Sequence, residues 1–346
     1  MSADRRERPP VAGWLAEVGE TVYRAAITRR NRRFDTTAQP RAFPIPIISV
    51  GNLSVGGTGK TPMVATIARW MLDDAHRPAI VLRGYARHRG LPSDEEAEYL
   101  ERFSGRVPVI ANPDRAAAIE ELLARNAADR VILDDGFQHR RVRRDADIVL
   151  IDATRDPFAD RLLPAGWLRE PVDSLSRAHA VVITHADRVS ESDLRTLQRR
   201  ITTVAPRAAV ALAKHHWSAL RVQGLHGAPD RIEPAASLRN KRVLIAAAIG
   251  HPNAFIEQAK AHDADIVSTT IRRDHHHWTQ SETRALTAEA ARLSAAVLTT
   301  LKDWVKFAPH LNSQSNPPAQ LQANWLTPEL DMSLTANERA LRALCH

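Results

Sequence analysis

The chain has 346 residues, of which 44% are hydrophobic and 25% are charged. These values exclude a largely disordered chain and predict buried cores, most simply in two domains. The formal net charge of +8 favours partners with phosphate groups: nucleotides, nucleic acid or an anionic membrane surface. The single cysteine excludes an internal disulfide, and no apolar run reaches the roughly 18 residues that span a bilayer.

The first predicted element is a helix over residues 11–34. Apolar residues recur along it at helical spacing, namely Trp14, Leu15, Val18 and Val22. An arginine cluster follows them, made of Arg29, Arg30, Arg32 and Arg33. This pattern is typical of an amphipathic helix that lies on an anionic bilayer. The alternative interpretation is a helix packed against its own domain with a solvated basic end.

A glycine-rich loop comes next, between a short apolar strand and a helix. Its residues, which we call the phosphate loop, are Ser54, Val55, Gly56, Gly57, Thr58, Gly59, Lys60 and Thr61. Backbone N–H groups of such a loop bind phosphate oxygens, the lysine reaches the β- and γ-phosphates, and the threonine hydroxyl coordinates Mg²⁺. The usual pattern has glycine where this chain has Ser54. The strand–loop–helix context still predicts a nucleoside triphosphate and Mg²⁺ as cofactors.

Strands and helices then alternate along the chain. Continuous apolar strands between helices predict an α/β fold with a parallel sheet covered by helices, as in P-loop NTPases. We expect a nucleotide-binding domain over residues 35–219, a linker over 220–240 and a second, smaller α/β domain over 241–346. Residues 1–34 form the predicted membrane-associating helix.

Two carboxylates end a predicted buried strand at Asp134 and Asp135. Ligands of open α/β sheets bind at the carboxyl ends of the strands, so either side chain is a candidate for the Mg²⁺ held by Thr61. An Asp-Asp-Gly turn is also a common way to end a strand. The presence of the phosphate loop favours the metal-binding interpretation.

Two further segments contain residues suited to catalysis. The run from Arg273 to Trp278 includes three adjacent histidines, but consecutive residues do not converge on one ion, which argues against zinc. A histidine that polarises a hydroxyl or orients a carboxylate is favoured over a solvated loop. The acidic stretch Asp94–Glu96 reads as a solvated loop, although a kinase needs a loop carboxylate to orient the acceptor hydroxyl.

Together the motifs resemble those of the tetraacyldisaccharide 4′-kinase family of Gram-negative bacteria. The resemblance covers nearly the whole chain and depends on six motifs in family order. They are Val50–Pro62, Arg83-Gly84-Tyr85, Asp134–His139, Leu163–Gly166 with Arg169 and Glu170, Ile249–Pro252 with Asp274-His275, and Thr300–Asp303.

The resemblance implies transfer of the ATP γ-phosphoryl group to the 4′-hydroxyl of the lipid A disaccharide 1-phosphate. It implies that Asp94 and His275 act as a catalytic dyad beside Lys60, and that Asp134 and Asp135 serve the metal and nucleotide. It also implies an enzyme associated peripherally or monotopically with the cytoplasmic face of the inner membrane. The basic positions that the resemblance assigns to the sugar 1-phosphate are Arg115 and Arg169.

Two other functions compete with the kinase. A regulatory NTPase is suggested by Thr184–Asp187, which echoes a guanine-reading loop but lacks its Asn-Lys pair. A nucleic-acid-binding module is suggested by the net charge alone, without helix-turn-helix, zinc-finger or aromatic stacking patterns. We therefore expect no nucleic-acid partner, and the sequence indicates no obligate protein partner.

Overall fold

The computed structural model describes residue 11 and residues 13–84, 93–225, 228–250, 252–274, 276–312 and 324–345. Its α-helices are α1 Trp14–Thr36, α2 Lys60–Asp73, α3 Asp94–Arg102, α4 Arg115–Ala124, α5 Glu191–Val204, α6 Pro252–Ala261, α7 Gln280–Arg292, α8 Leu301–Asn312 and α9 Glu338–Ala343. Its strands are β1 Ile47–Asn52, β2 Pro78–Leu82, β3 Val109–Ala111, β4 Arg130–Asp134, β5 Ala146–Asp152, β6 Ala180–Thr184, β7 Ala209–Val222, β8 Arg231–Pro234, β9 Arg242–Ala247, β10 Asp265–Ile271, β11 Ala296–Thr299 and β12 Trp325–Ala336.

The chain folds as two compact units. The first contains the described residues up to Arg83, Val107–His215 and those from Met332 onward. The second contains the described residues of Gly84–Arg106 and His216–Asp331. The units interleave along the chain. The domain boundaries expected from the sequence, at residues 34, 219 and 240, stay a prediction.

The first unit is built on a parallel sheet with strand order β7-β6-β5-β1-β4-β2-β3. All six residues of β1 are buried, as expected for a central strand covered on both faces. Strand β1 lies between β4 and β5, with Val50 opposite Asp134 and Gly51 opposite Val149. The carboxyl ends of these strands therefore meet at one edge, where α/β sheets bind ligands. The predicted parallel α/β sheet is confirmed.

The second unit has its own parallel strands, in the order β10-β9-β11-β12, followed by β7, with β8 antiparallel to β7. Its core includes an aromatic cluster in which Trp278, Phe307 and Trp325 are buried. Helix α8 packs against both α3 and α7. Helix α8 therefore connects α3 with α7 in this unit.

Helix α1 confirms the first predicted element, and its apolar stripe faces outward. Trp14, Val18 and Val22 are exposed, whereas Ala16 and Glu20 are buried. The helix therefore does not use the stripe to pack against its own unit. Among the described residues, no helix combines the length and apolar character needed to cross a membrane.

The structure corrects one predicted loop and describes most of the segment expected to be a linker. Asp94–Glu96 form the first turn of α3 rather than a solvated loop, because Ser93 and Glu96 make a reciprocal capping box. The predicted linker, residues 220–240, contains the end of β7, strand β8 and a 3-10 helix. Strand β8 pairs antiparallel with the end of β7.

Candidate active site

The phosphate loop connects β1 to α2 in a fixed conformation. Gly56 and Gly59 have φ angles of 117° and 88°, in the left-handed region that favours glycine. The buried Thr58 side chain accepts a hydrogen bond from Asn52 Nδ2 at 3.0 Å, and its carbonyl oxygen accepts one from Thr184 Oγ1 at 3.1 Å. Helix α2 begins at Lys60 without a side-chain cap, so its first N–H groups suit an anion.

Lys60 lies in a cluster of opposite charges. Its Nζ atom is 3.5 Å from Oδ1 of Asp135, and Arg169 Nη1 lies 2.9 and 2.7 Å from the two Asp135 oxygens. Burial pushes the pKa of Asp135 up, but the charges and hydrogen bonds of Lys60 and Arg169 outweigh it and hold that pKa below its usual value. One ionised carboxylate thus orients two cations beside the phosphate loop.

The two aspartates that follow β4 have different environments. Asp134 ends the strand, is 5% exposed and lies opposite Val50 of β1. Asp135 adopts a φ of 53°, and Gly136 then donates its N–H to the Val50 carbonyl oxygen at 3.1 Å. A Cβ atom at Gly136 would approach Ser49 Oγ at 2.7 Å, so this turn requires glycine. The turn holds both carboxylates at the edge where β1 and β4 end.

The segment that follows the Leu-Pro-Ala-Gly motif supports the phosphate loop through backbone contacts. Arg169 N donates to Leu53 O at 2.7 Å, and Val55 N donates to Trp167 O at 2.8 Å. This pairing explains why the segment that carries Arg169 lies beside the loop. The partnership of Arg169 with Asp135 was not predicted, because residues 34 positions apart give no local signal.

Three residues near the loop were missed as site candidates from the sequence. Asp152, at the end of β5, lies 3.1 Å from His185 Nδ1, and the His185 ring stands 4.4 Å from that of His215. A Cβ at Gly59 would overlap the His215 ring. Burial raises the pKa of Asp152, yet hydrogen bonds from His185 and Thr154 lower it to about 2. Asp152 ends a strand, as Asp134 does, and this position could have marked it as a site candidate from the sequence.

Arg115 lies in a positively charged part of the first unit. It opens α4, its side chain is buried, and its Nη1 donates to Asn112 O at 3.2 Å. Burial, followed by the positive charges of Arg115, Arg141 and Arg144, lowers the pKa of His139 to about 4. A neutral histidine adds no further positive charge beside these arginines, of which Arg144 is paired with Asp147 at 2.8 Å. The contact of Arg115 with a sugar phosphate stays a prediction.

Replacing His139 by glutamine is expected to flatten the pH dependence of stability. Below its usual pKa of 6.5, His139 takes up a proton in the unfolded chain but stays neutral in the folded protein down to about 4. The free energy of unfolding of the unmodified chain therefore falls as the pH drops through this window, and the variant lacks that contribution. Urea unfolding at pH 7.5 and 5.0 checks this; parallel changes in both proteins would contradict it.

The predicted dyad falls mostly outside the described residues. His275 and the Asp94 side chain are not described; the Asp94 backbone is the first residue of α3. Next to His275 in the sequence, Asp274 Oδ1 lies 3.0 Å from Lys302 Nζ, and His276 Nε2 lies 3.1 Å from Glu282 Oε2. Within the described part of the chain, no cluster of histidine, cysteine, aspartate and glutamate is suited to a metal ion.

Comparisons with known proteins agree on one family. Residues 12–345 match the family described as Tetraacyldisaccharide-1-P 4′-kinase. The chain is 36% identical to the tetraacyldisaccharide 4′-kinase of Anaeromyxobacter dehalogenans strain 2CP-C, over 88% of this chain and 85% of that protein. It is 31% identical to the enzyme of that name from Chlorobaculum parvum, over 86% and 85% of the two chains.

The fold also matches a solved structure of a protein from this family. LpxK from Aquifex aeolicus, in complex with ATP, superposes with a TM-score of 0.71 and 26% sequence identity. The match covers 94% of this chain and 95% of that one. Both described units are therefore included in the similarity.

Proposed function

Because the chain belongs to the tetraacyldisaccharide-1-P 4′-kinase family, we propose that it transfers the ATP γ-phosphoryl group to the 4′-hydroxyl of tetraacyldisaccharide 1-phosphate, giving lipid IVA. The observation that carries this proposal is the cluster of Lys60, Asp135 and Arg169 against the phosphate loop. Phosphoryl transfer needs mainly positioning and neutralisation of negative charge, and this cluster provides two oriented cations. The family match favours this reaction over the regulatory NTPase and the nucleic-acid-binding module.

The phosphate loop holds the triphosphate through its backbone N–H groups and the start of α2. Lys60, which Asp135 orients, contacts the β- and γ-phosphates. Thr61 and Asp134 fit a magnesium ion, because a hydroxyl and a carboxylate are the hard oxygen ligands that Mg²⁺ prefers. A magnesium ion held by these residues would supply positive charge to offset that of the phosphate groups. Asp135 is already engaged by two cations, which makes Asp134 the better direct ligand.

The acceptor side of the reaction is assigned to Asp94 and His275. In this proposal Asp94 accepts the proton of the 4′-hydroxyl, and His275 orients or polarises the pair. Asp94 begins α3, a helix fixed by its capping box, which limits the movement of its backbone. Arg115 contacts the sugar 1-phosphate, whereas Arg169 acts closer to the nucleotide through its pair with Asp135.

The proposal is tested with γ-labelled ATP and purified disaccharide 1-phosphate in detergent. Label is expected in a product that carries phosphate at the 4′ position, and none in an acceptor that lacks the 4′-hydroxyl. ATP hydrolysis that ignores the lipid acceptor and responds to a protein would support the regulatory NTPase instead.

We further propose that α1 docks on the anionic surface of the inner membrane at its cytoplasmic face. Trp14, Val18 and Val22 are 71%, 55% and 66% exposed and share one face of the helix. Arg29 follows Val22 by two helical turns and extends the same face with positive charge. Apolar residues beside a basic end suit the boundary between acyl chains and acidic headgroups.

The opposite face of α1 is attached to the wall of the active site. Glu20 Oε2 lies 2.7 Å from Arg161 Nη2, and Tyr23 Oη donates to the carbonyl oxygen of Arg169 at 3.0 Å. A helix resting on lipid would therefore hold the Arg169 segment, and with it the phosphate loop, near the bilayer. The acyl chains of the acceptor can then stay in or near the membrane during the reaction.

Replacing Trp14 and Val18 together by glutamate is expected to weaken binding to vesicles that contain acidic lipid by about tenfold or more. The change removes exposed apolar area and adds negative charge, while the buried face of α1 keeps its contacts. Vesicle sedimentation measures the effect, and kcat with detergent-dispersed acceptor is expected to stay unchanged. Ile232→Glu, an equally exposed apolar site on β8, is the matched control. Equal sedimentation of the double variant and the control would reject α1 as the docking element.

A further inference from the structure

Asp303 is a buried carboxylate that the proposed reaction does not use. It lies in the first turn of α8 and is 0% exposed. Burying an ionised carboxylate costs several kcal/mol unless it is well hydrogen-bonded. A buried carboxyl group that accepts several hydrogen bonds holds its donors in a particular local geometry. Its partners identify which geometry that is.

The Asp303 side chain joins three separate segments. Its Oδ2 accepts hydrogen bonds from Ala248 N and Thr300 Oγ1, each at 2.9 Å. Its Oδ1 accepts one from Trp278 Nε1 at 3.2 Å. Ala248 immediately precedes the Ile249–Pro252 motif, and Trp278 lies three positions after His275. One carboxylate therefore holds two of the loops on which the family resemblance depends.

Helix α8 also holds the neighbours of His275 on both sides. Lys302 Nζ lies 3.0 Å from Asp274 Oδ1, and Lys306 Nζ donates to the carbonyl oxygen of His276 at 3.3 Å. The chain has only six lysines, and these two lie four positions apart, on one face of α8. The backbone on either side of His275 is thus attached to the helix that begins with Asp303.

The same helix supports α3, whose first residue is Asp94. Helices α3 and α8 pack together, and Trp304 forms a side-chain hydrogen bond with the Glu101 carboxylate. Trp304 directly follows Asp303 in the chain. The helix that begins next to Asp303 is therefore in contact with both segments to which we assign the acceptor hydroxyl.

We propose that Asp303 is a positioning residue for His275, acting through Trp278 and Ala248. This inference rests on the proposed role of His275 in aligning the 4′-hydroxyl. Asp303, through Trp278, and Lys302, through Asp274, hold described residues on either side of His275 against α8. A shift of about 1 Å in a group that aligns a reactant lowers the rate by as much as 10²-fold.

Trp278→Phe tests the proposal because it deletes the N–H donor and keeps a ring. The ring packs 4.6 Å from that of Phe307, and phenylalanine retains most of this contact. We expect kcat to fall about tenfold while the KM for ATP stays unchanged, because the phosphate loop belongs to the other unit.

Asp303→Asn is expected to lower kcat at least as much, since it presents an amide NH₂ to N–H donors. The double variant should be no slower than Asp303→Asn alone.

Thr327→Val is the matched control in the same unit. It removes a buried hydrogen bond from Gln223 Nε2, 2.6 Å long, that has no part in the 272–279 loop. Thermal unfolding of all variants is measured beside kcat, and the control is expected to lose stability without losing kcat. A fall in kcat for the control equal to that of Trp278→Phe would overturn the positioning role.

His275→Ala and the unmodified chain complete the experiment. An unmodified chain that does not phosphorylate the disaccharide 1-phosphate refutes the proposed function itself. An active chain that His275→Ala slows, while Trp278→Phe and Asp303→Asn keep full kcat, overturns the role of Asp303 alone. Full activity of His275→Ala overturns the role of His275 and, with it, that of Asp303. If Asp303→Asn does not fold, Trp278→Phe still decides between these outcomes.

Discussion

Lys60→Ala is expected to lower kcat for 4′-phosphorylation by about 10²–10³-fold or more. The lysine carries positive charge to the place where negative charge moves between the β- and γ-phosphates. Its orientation in the structure is set by Asp135 at 3.5 Å, so alanine removes a group that is already in place. The rate is measured with γ-labelled ATP and the disaccharide 1-phosphate at saturating concentrations of both.

The fold should tolerate this substitution. Asp135 keeps the closer ion pair with Arg169, at 2.7 Å, so removing Lys60 does not leave a buried carboxylate without a counterion. Thermal unfolding of Lys60→Ala is therefore expected to resemble that of the control Lys260→Ala, an exposed lysine on α6. If folded Lys60→Ala keeps a near-full rate, the assignment of Lys60 to the active site is wrong.

Local features of the sequence predict the nucleotide half of the candidate site. The strand, the glycine-rich loop and the helix follow one another in the sequence, so residues 54–61 and their flanking segments are enough to predict the phosphate loop. Asp134 and Asp135 were predictable because the carboxyl ends of parallel strands share one edge of the sheet. The ion pair of Asp135 with Arg169 could not be predicted, because it depends on a backbone hydrogen bond between Arg169 and Leu53. That hydrogen bond is a tertiary contact, and such contacts leave no periodic pattern in the sequence.

Two kinds of secondary structure lack the continuous apolar runs on which the sequence analysis depends. Helix α3 is mostly charged and therefore reads as solvated, yet Ser93 and Glu96 form a capping-box pattern that predicts a helix start. Strands β7 and β12 contain many partly exposed residues: β12 is continuously buried only over its first four residues, and β7 only over its last three. Continuous apolar runs indicate strands that are buried on both faces, so they do not indicate β7 and β12.

Asp134→Asn and Asp135→Asn are expected to differ, and the difference identifies the magnesium ligand. Asp134→Asn should lower kcat by about 10²–10³-fold and raise the Mg²⁺ concentration needed for half-maximal rate, because an amide binds Mg²⁺ more weakly than a carboxylate does. Asp135→Asn should cost no more than about tenfold, since it removes an ion pair with Lys60 and Arg169 while an amide oxygen still accepts a hydrogen bond from Arg169.

A magnesium titration of the initial rate distinguishes the two variants. The matched pair differs by one position, and both substitutions conserve side-chain size, so a general loss of packing affects them alike. The geometry argues for Asp134 because Asp135 already neutralises two cations, and a third would have to compete with them. A raised magnesium requirement in Asp135→Asn, with an unchanged one in Asp134→Asn, would reverse the assignment. It would also mean that Lys60 and Arg169 release Asp135 when the nucleotide binds.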